Sequence, residues 1–284
     1  MITGIDHIVL LCSSVEEGRQ AYGALLGRSE DWRSSDPEGA ASVMFQMEHV
    51  ALELLSPQGN GPLADRLRQL LADQGPGLQT LVLASDDLEG DHKRFRRLGL
   101  APTDIVEGSS FDATRGLGRH WRRFRLDDVQ TGGLRTFVLQ RATDDPLRAP
   151  AFGQNQITDL DHLVIATRNP ERALGLFGAK LAFELTLDRT DQERQSRLLV
   201  FSAGESGIEV TSSRSDNTEP KPDRLWGITW RSVDIDAANS RLRDKGLNVS
   251  EVRKGIRPGT RVFTVRDGTL GVPSLVVAGD NRAG

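Results

Sequence analysis

Two histidines stand in nearly the same short apolar run at two places in the chain. His7 lies in GIDHIVLL and His162 lies in DLDHLVIA. Imidazole changes charge near neutral pH and is a common metal ligand, so a repeated histidine indicates proton transfer or metal binding. The alternative is a hydrogen-bonded histidine with a structural role in the strand. The elements around each histidine must decide between these interpretations.

Glutamates recur at matching distances from the two histidines. Glu53 lies in ALELL and Glu209 lies in GIEV, so their separations from His7 and His162 differ by a single residue. Burying an unpaired carboxylate is costly, so each glutamate should face a partner, a pocket or water. A glutamate beside a histidine can act as a general base if its environment raises its pKa. The two His–Glu pairs are therefore candidate acid–base groups.

The elements around these pairs also repeat. Each half of the chain follows its histidine-containing strand with a polar step, a helical stretch and three further strands. A second unit in each half consists of a strand, a helix closed by glycine, and further strands. The sequence thus predicts four βαβββ modules, at residues 4–56, 77–141, 159–213 and 227–279.

The modules imply two domains of the α+β class. One βαβββ module exposes a face of its four-stranded sheet that it cannot bury alone, so modules should associate in pairs around a shared cup. We predict an N-terminal domain at residues 1–141 and a C-terminal domain at residues 157–284. Residues 142–156, a polar segment containing proline, are interpreted as the linker.

Several phrases recur at corresponding places in the modules. The openings are DHIVLL and DHLVIA, the endings are ALELLSP and GIEVTSS, and the strand-helix phrases are LASDDLEGDHKRFRRLGL and VDIDAANSRLRDKGL. In this pattern the whole chain resembles the vicinal oxygen chelate (VOC) superfamily, which includes glyoxalase I, bleomycin-resistance proteins and extradiol dioxygenases. The resemblance implies two glyoxalase-like domains with curved mixed sheets.

The resemblance also implies a role for the His–Glu pairs. In enzymes of this superfamily, a divalent metal is held in the cup by a histidine from the first strand of a module and a glutamate from the last. By this resemblance the candidate ligands are His7, Glu53, His162 and Glu209. Imidazole and carboxylate suit iron, manganese, nickel or zinc, and an open coordination position would let the metal polarise a substrate oxygen.

The second and fourth modules do not complete such a metal site. Alignment places Thr80 and Gln140 at the histidine and glutamate positions of module 2. In module 4 it places Gly227 at the histidine position and Val276 or Val277 at the glutamate position. Each cup then holds two ligands, whereas a catalytic metal usually has three, unless modules 1 and 3 share one cup. Extradiol cleavage and a full glyoxalase I site are disfavoured, and a metal-free cup is equally plausible.

A further candidate is the arginine-rich strand GRHWRRFRLDD, residues 118–128. Its period of two places Trp121, Arg123 and Arg125 on one face. Arginines on a cup wall would bind a carboxylate or phosphate, and the tryptophan could stack on an aromatic substrate. The alternative is a solvated strand face. Trp226 and Trp230 flank the corresponding wall of the second cup, where ordinary core packing is the alternative.

Composition excludes some partners. A net charge of −4 gives no broad attraction for nucleic acid or anionic membranes, and no apolar run approaches the length that spans a bilayer. The single cysteine, Cys12, cannot form an internal disulfide, and the N-terminal residues do not resemble a secretory leader. We therefore expect a cytoplasmic protein, a monomer or homodimer, with a small molecule as its partner.

Two functions remain open at this point. The first is a glyoxalase-like lyase or isomerase that acts on a small oxygenated substrate. The second is a metal-free protein that sequesters a small molecule, as bleomycin-resistance proteins do. Because the first cup keeps polar residues at all four aligned positions, we predict that polar-group chemistry occurs there, with Arg123 or Arg125 as an anion clamp.

Overall fold

The computed structural model describes residues 1–193, 195–213 and 221–279. It contains two eight-stranded mixed sheets, one in each half of the chain. The N-terminal strands are β1 (Ile2–Leu11), β2 (Trp32–Asp36), β3 (Ala40–Gln46), β4 (Ala51–Pro57), β5 (Gly77–Ser85), β6 (Val106–Asp112), β7 (Leu117–Arg125) and β8 (Thr136–Arg141). The C-terminal strands are β9 (Ile157–Thr167), β10 (Glu184–Asp191), β11 (Ser196–Ala203), β12 (Ser206–Ser213), β13 (Arg224–Ser232), β14 (Arg253–Lys254), β15 (Thr260–Val265) and β16 (Ser274–Gly279).

Each sheet is made of two modules joined through their first strands. The strand order is β2-β3-β4-β1-β5-β8-β7-β6 in one sheet and β10-β11-β12-β9-β13-β16-β15-β14 in the other. The antiparallel pairs β1–β5 and β9–β13 therefore lie at the centre of each sheet. Modules 1 and 2 share one cup and modules 3 and 4 share the other, so modules 1 and 3 do not pool their ligands.

Helices connect the strands. They are α1 (Val15–Leu26), α2 (Pro62–Gln74), α3 (Leu88–Arg97), α4 (Pro170–Ala173), which continues as π-helical turns over Leu174–Lys180, and α5 (Ile235–Asp244). Asp87 caps α3 by accepting a hydrogen bond from the backbone of Gly90 at 3.0 Å. Gly99 follows α3 with φ of 72°, a conformation that costs glycine little. No helix of the described residues is both long and apolar enough to cross a bilayer.

Alternation along the strands separates the core from the cup. In β1 the side chains of Ile8 and Leu10 enter a large core beneath α1 and α3, whereas His7, Val9 and Leu11 line the opposite face. This core is continuous between the two domains. Tyr22 of α1 packs edge-on against Trp230 of β13, with 6.3 Å between ring centroids, and its hydroxyl donates to the carbonyl of Thr269.

Candidate active site

The first site residue, His7, is oriented by the residue before it. The register of β1 against β5 passes from Ile5 to His7, so Asp6 is the extra residue of a β-bulge. The imidazole Nδ1 of His7 lies 2.6 Å from Asp6 Oδ1. Arg141 donates from Nε to the other carboxylate oxygen of Asp6 at 2.7 Å. Because the Nδ1–H group of His7 donates to Asp6, the Nε2 atom of His7 faces the cup.

Glu53 meets His7 on that face. Strands β1 and β4 are parallel, and Val9 of β1 lies opposite Glu53 of β4. His7 lies two residues before Val9, so its side chain is on the same face of the sheet. The distance between His7 Nε2 and Glu53 Oε2 is 3.4 Å. The hydroxyl of Ser42 on β3 also contributes to lowering the pKa of the Glu53 carboxyl group. Asp6, His7 and Glu53 thus form a continuous polar chain from the bulge into the cup.

The charges of Asp6, His7 and Glu53 stabilise one another. Burial opposes protonation of His7, but its hydrogen bonds to Asp6 and Glu53 outweigh burial and raise its pKa. Burial likewise opposes ionisation of Glu53, yet the neighbouring His7 lowers the pKa of the carboxyl group. The pKa of Asp6 is also lowered, by His7 and Arg141 against the effect of burial. At neutral pH the arrangement favours an imidazolium flanked by two carboxylates.

The second module supplies different groups at the equivalent positions. The pairs His7–Val82 and Val9–Thr80 are symmetric in the β1–β5 register, so Thr80 is the counterpart of His7. The counterpart of Glu53 is Phe137, which lies opposite Val82 as Glu53 lies opposite Val9.

The expectation that Gln140 occupies the glutamate position is therefore wrong. Its side-chain amide donates to the carbonyl of Asp86 at 3.0 Å, outside the cup. Phe137, which occupies the glutamate position, lies three residues before Gln140. Because three is an odd number, the side chain of Gln140 points to the other face of the sheet.

The C-terminal domain repeats the polar chain. His162 Nε2 lies 3.3 Å from Glu209 Oε2, and His162 Nδ1 lies 2.8 Å from Asp161 Oδ2. Asp161 is again the extra residue in the strand register, and it accepts hydrogen bonds from Arg257 at 2.9 and 3.1 Å. Burial opposes the charge on His162, but the two carboxylates outweigh it and raise the pKa of the imidazole.

In the second cup, the positions that correspond to His162 and Glu209 carry no polar side chain. Gly227 lies opposite Val164 and Thr229 opposite His162, which makes Gly227 the counterpart of His162. Glu209 lies opposite Val164, and Leu275 lies opposite Thr229, which is the counterpart of Val164. Leu275 is therefore the counterpart of Glu209. The expectation of Val276 or Val277 at this position is wrong by one or two residues, because the strand end alone does not fix its register.

A cavity of about 600 Å³ opens above the first His–Glu pair. Its lining includes His7, Glu53 and Thr80 on the sheet, together with Leu63, Leu67 and Leu70 on α2. Helix α2 packs over the ends of β1 and β4 through contacts with Leu11 and Leu55, and so forms one wall of the cavity. This volume suits a small molecule.

The arginine-rich strand β7 contributes to the cavity wall, but its arginines differ. Trp121 and Arg123 line the cavity. Arg119 also lines it, but both Arg119 and Asp145 are buried and they pair through Nε–Oδ1 and Nη2–Oδ2 contacts of 2.9 and 3.0 Å. Arg125 lies beyond the cavity lining, so Arg123 is the better placed of the two predicted clamp residues.

The two tryptophans predicted for the second cup lie in different environments. Trp230 is fully buried in the core against Tyr22 and does not face the cup, so its predicted role in binding is wrong. Trp226, four residues earlier in β13, is 42% exposed and falls at an irregularity in the β9–β13 register. The sequence pattern suggested apolar residues near Gly227, but it did not show which side of the sheet each would occupy.

Neither cup offers a complete donor set for a catalytic metal. The strong donors on the first cup's matched positions are His7 Nε2 and Glu53, because Phe137 replaces a second carboxylate and Thr80 a second imidazole. Catalytic metal sites usually have three protein ligands. The described residues of the cup therefore do not fit a tightly held catalytic metal.

A separate group of potential ligands lies at the domain junction. Donor atoms of Glu48, His49 and Asp159 lie within 4.8 Å of one another. The Asp159 carboxylate already accepts hydrogen bonds from the backbone N–H groups of His49 and Val50 and lies 2.7 Å from His49 Nδ1. These contacts give the cluster a structural role in joining the domains.

Several features of the site were absent from the sequence prediction. No role for Asp6 and Asp161 is predicted from the sequence, although both histidines follow an aspartate. Arg66 on α2 and Arg135 before β8 line the first cavity and also have no role predicted from the sequence. The repeated Asp-His dipeptide was a usable signal, whereas nothing local marks an arginine before a strand as a cavity residue.

Comparisons with known proteins agree with this architecture. The glyoxalase-like domain model matches residues 5–181, which is more than half of the chain. A model for the glyoxalase/bleomycin resistance protein/dioxygenase superfamily matches residues 161–264. A search among curated proteins found no match.

Solved structures share the fold at low sequence identity. A variant of 4-hydroxymandelate synthase from Streptomyces coelicolor has a TM-score of 0.72 and 11% identity, with 100% of this chain and 95% of that chain covered. A halotolerant catechol dioxygenase has a TM-score of 0.64 and 12% identity, with coverage of 100% and 89%. A Mn(II)-bound glyoxalase from Novosphingobium aromaticivorans has a TM-score of 0.63 and 14% identity, with coverage of 97% and 82%.

Paired βαβββ modules around two cups define a two-domain protein of the vicinal oxygen chelate superfamily. Within that class, the chain belongs to the family with the glyoxalase-like domain.

Proposed function

We propose that the protein is a lyase- or isomerase-type enzyme that acts on a small oxygenated substrate in the N-terminal cup. The observation that carries this proposal is the contact of His7 with Glu53 at the cavity surface, 3.4 Å apart and oriented by Asp6. The second His–Glu pair has no polar counterparts across its sheet, which favours the first cup for chemistry.

The two side chains suit proton transfer next to a carbonyl. The pKa of Glu53 is lowered, opposite to the rise expected from the sequence for a general base, so the carboxylate is ionised at neutral pH but is a weaker base than a free glutamate. The raised pKa of His7 keeps an imidazolium available. Glu53 would take the proton from the carbon beside the carbonyl, and the C–H electron pair would form the enol double bond. His7 would donate its Nε2 proton to the developing oxyanion. In an isomerisation, Glu53 would return the proton to the former carbonyl carbon while the other enediol oxygen gives its proton to His7 and becomes the new carbonyl. In an elimination, the enol oxygen would return its proton to His7, the carbonyl would re-form, and the leaving group would depart with its electron pair from the carbon β to the carbonyl.

A divalent ion is not required for this scheme. Iron, manganese, nickel or zinc bound by His7 and Glu53 would supply Lewis-acid chemistry, but two strong donors fall short of a usual catalytic set. Without a metal, the His7 imidazolium and the Glu53 carboxylate already balance each other's charge as an acid–base pair.

Hydrogen–deuterium exchange tests the proposal. A panel of α-hydroxyketones and α-hydroxyaldehydes would be incubated with the protein in D₂O and followed by proton NMR. We expect enzyme-dependent exchange of the carbon-bound proton that is lost in Glu53→Gln and retained in Glu209→Gln. Loss only in Glu209→Gln would assign the chemistry to the second cup, and exchange unaffected by either substitution would refute a role for both pairs.

A binding protein that sequesters a small molecule is the second candidate. It is favoured by the apolar part of the cavity, where Val9, Val82 and Leu139 pack with Trp121 and Phe137. Calorimetric binding of a compound that undergoes neither exchange nor turnover would support this alternative. In either case we expect a cytoplasmic protein, monomeric or homodimeric.

A further inference from the structure

Three arginines surround the N-terminal cavity from different elements. Arg66 lies on α2, Arg123 on β7 and Arg135 immediately before β8. None of the three forms an ion pair with a carboxylate in the described part of the chain, whereas Arg119 in the same wall is paired with Asp145. The cavity therefore carries positive charge that the protein itself does not neutralise by direct contact.

The aromatic ring of Phe137 positions two of these arginines. The guanidinium carbons of Arg123 and Arg135 lie 5.1 and 5.5 Å from its ring centroid. Cation–π contacts of this kind hold a guanidinium while leaving its N–H donors available. Phe137 occupies the position that corresponds to Glu53, so the two modules present opposite chemistry, a carboxylate on one side and arginines on the other.

The electrostatic state of Arg135 reflects this concentration of charge. Burial, together with the positive charges of Arg66, Arg125 and Arg123, lowers its pKa to about 10, and Asp128 opposes that change only in part. The cavity carboxylates are engaged elsewhere, since Glu53 contacts His7 and Asp36 accepts a hydrogen bond from the backbone of Glu38. A bound anion would relieve the repulsion among the arginines.

We propose that Arg66, Arg123 and Arg135 form an anion-binding subsite that takes a carboxylate or phosphate group at one end of the ligand. The apolar wall with Phe137 and Trp121 would contact the middle of that ligand. This inference rests on the proposed function only in placing the reacting end beside His7 and Glu53. The substrate class it names is a small oxygenated acid or phosphate ester.

Calorimetric titration with matched probes tests the subsite without turnover. Benzoate, phenyl phosphate and uncharged benzyl alcohol share a ring and differ in charge. We expect at least one anionic probe to bind about tenfold or more tightly than benzyl alcohol, as charge-assisted hydrogen bonds require. The better anion identifies the group as carboxylate or phosphate.

Substitutions assign that binding to the arginines. Arg123→Gln and Arg135→Gln should each lose about tenfold in affinity for the anionic probe and little for benzyl alcohol. Arg135→Lys should recover part of the loss, because it restores the charge without the fork geometry. The matched control is Arg122→Gln, since Arg122 is the strand neighbour of Arg123 and forms an ion pair with Glu89 outside the cavity.

Two results would overturn the subsite. One is equal affinity of wild-type protein for the anions and benzyl alcohol, and the other is anion binding unchanged in both glutamine variants. Circular dichroism spectra of each variant establish that it is folded. Glu53→Gln separates the two proposals, since it should abolish proton exchange but retain anion binding. Exchange that survives in Glu53→Gln would refute the proposed function and leave the subsite intact.

Discussion

His7 and Asp6 are consecutive residues whose side chains meet, with 2.6 Å between Nδ1 and Oδ1. Successive residues of a regular strand point to opposite faces, so this contact depends on the β-bulge at Asp6. The same relationship between Asp161 and His162 recurs in the C-terminal domain at 2.8 Å. The bulge is thus a repeated device that fixes the ring orientation of each histidine.

Replacing Asp6 should disturb His7 specifically. In Asp6→Asn the ring loses a charged partner, so we expect the pKa of His7 to fall and proton exchange to slow by about tenfold to a hundredfold through misorientation. NMR titration of the imidazole signals measures the pKa directly. Asp161→Asn is the matched control and should lower the pKa of His162 alone. An unchanged His7 pKa in folded Asp6→Asn would contradict the positioning role.

The two histidines should make stability depend on pH. The raised pKa of His7 and of His162 means that their stabilisation is complete below the ordinary value of 6.5 and is lost as the pH rises through the folded-state pKa. Glu53 acts in the opposite window, because its lowered pKa gives stabilisation above 4.5 that is lost as the pH falls.

Urea unfolding at a series of pH values checks this dependence. The free energy of unfolding of wild-type protein should decline above neutral pH relative to a His7→Gln, His162→Gln double variant. Parallel curves for the two proteins in that range would show that the histidines are not protonated preferentially in the folded state.

Metal should bind weakly. Because the matched positions of each cup provide one imidazole and one glutamate, we expect protein purified without chelator to lose added zinc or manganese during gel filtration. Elemental analysis of the eluted protein measures the metal that remains. One metal ion retained per chain, and lost in Glu53→Gln but not in Glu209→Gln, would instead establish the first cup as a metal site.

The two kinds of cavity arginine should differ in their effect on stability. Arg119→Gln leaves the buried Asp145 carboxylate without its main partner, so we expect a loss of about 3–5 kcal/mol in the free energy of unfolding. Arg123→Gln removes an exposed guanidinium without a carboxylate partner and should change it by less than about 0.5 kcal/mol. Urea unfolding of both variants makes the comparison, and equal losses would contradict the distinction between wall and ligand residues.

Much of the fold was predictable because the sequence repeats its own pattern. Matched runs around His7 and His162, with glutamates at matched distances, predicted the modules and the two equivalent His–Glu pairs. Their contact follows from neighbouring parallel strands with side chains on one face, which requires only strand assignment and parity.

The errors arose where parity and register were not fixed locally. Gln140 and Val276 were placed from strand endings, and an odd shift reversed the face of each. Trp230 was assigned to a cup because of its neighbours in sequence, whereas its face is set by packing against Tyr22 from the other domain. Arg66 and Arg135 become cavity residues only through the placement of α2 and β8 in the tertiary structure.

The alternation of core and cup side chains has a consequence for how the two cups can diverge. Ile8 and Leu10 belong to the continuous core, while His7 and Val9 face the cavity. Substitutions on the cup face can therefore accumulate without weakening the packing that joins the domains. After duplication of an ancestral domain, such substitutions would leave one cup with arginines and an aromatic ring and the other with Gly227 and Leu275 at the matched positions. The retained histidine and glutamate in both cups would then record the shared ancestor more faithfully than the rest of either lining.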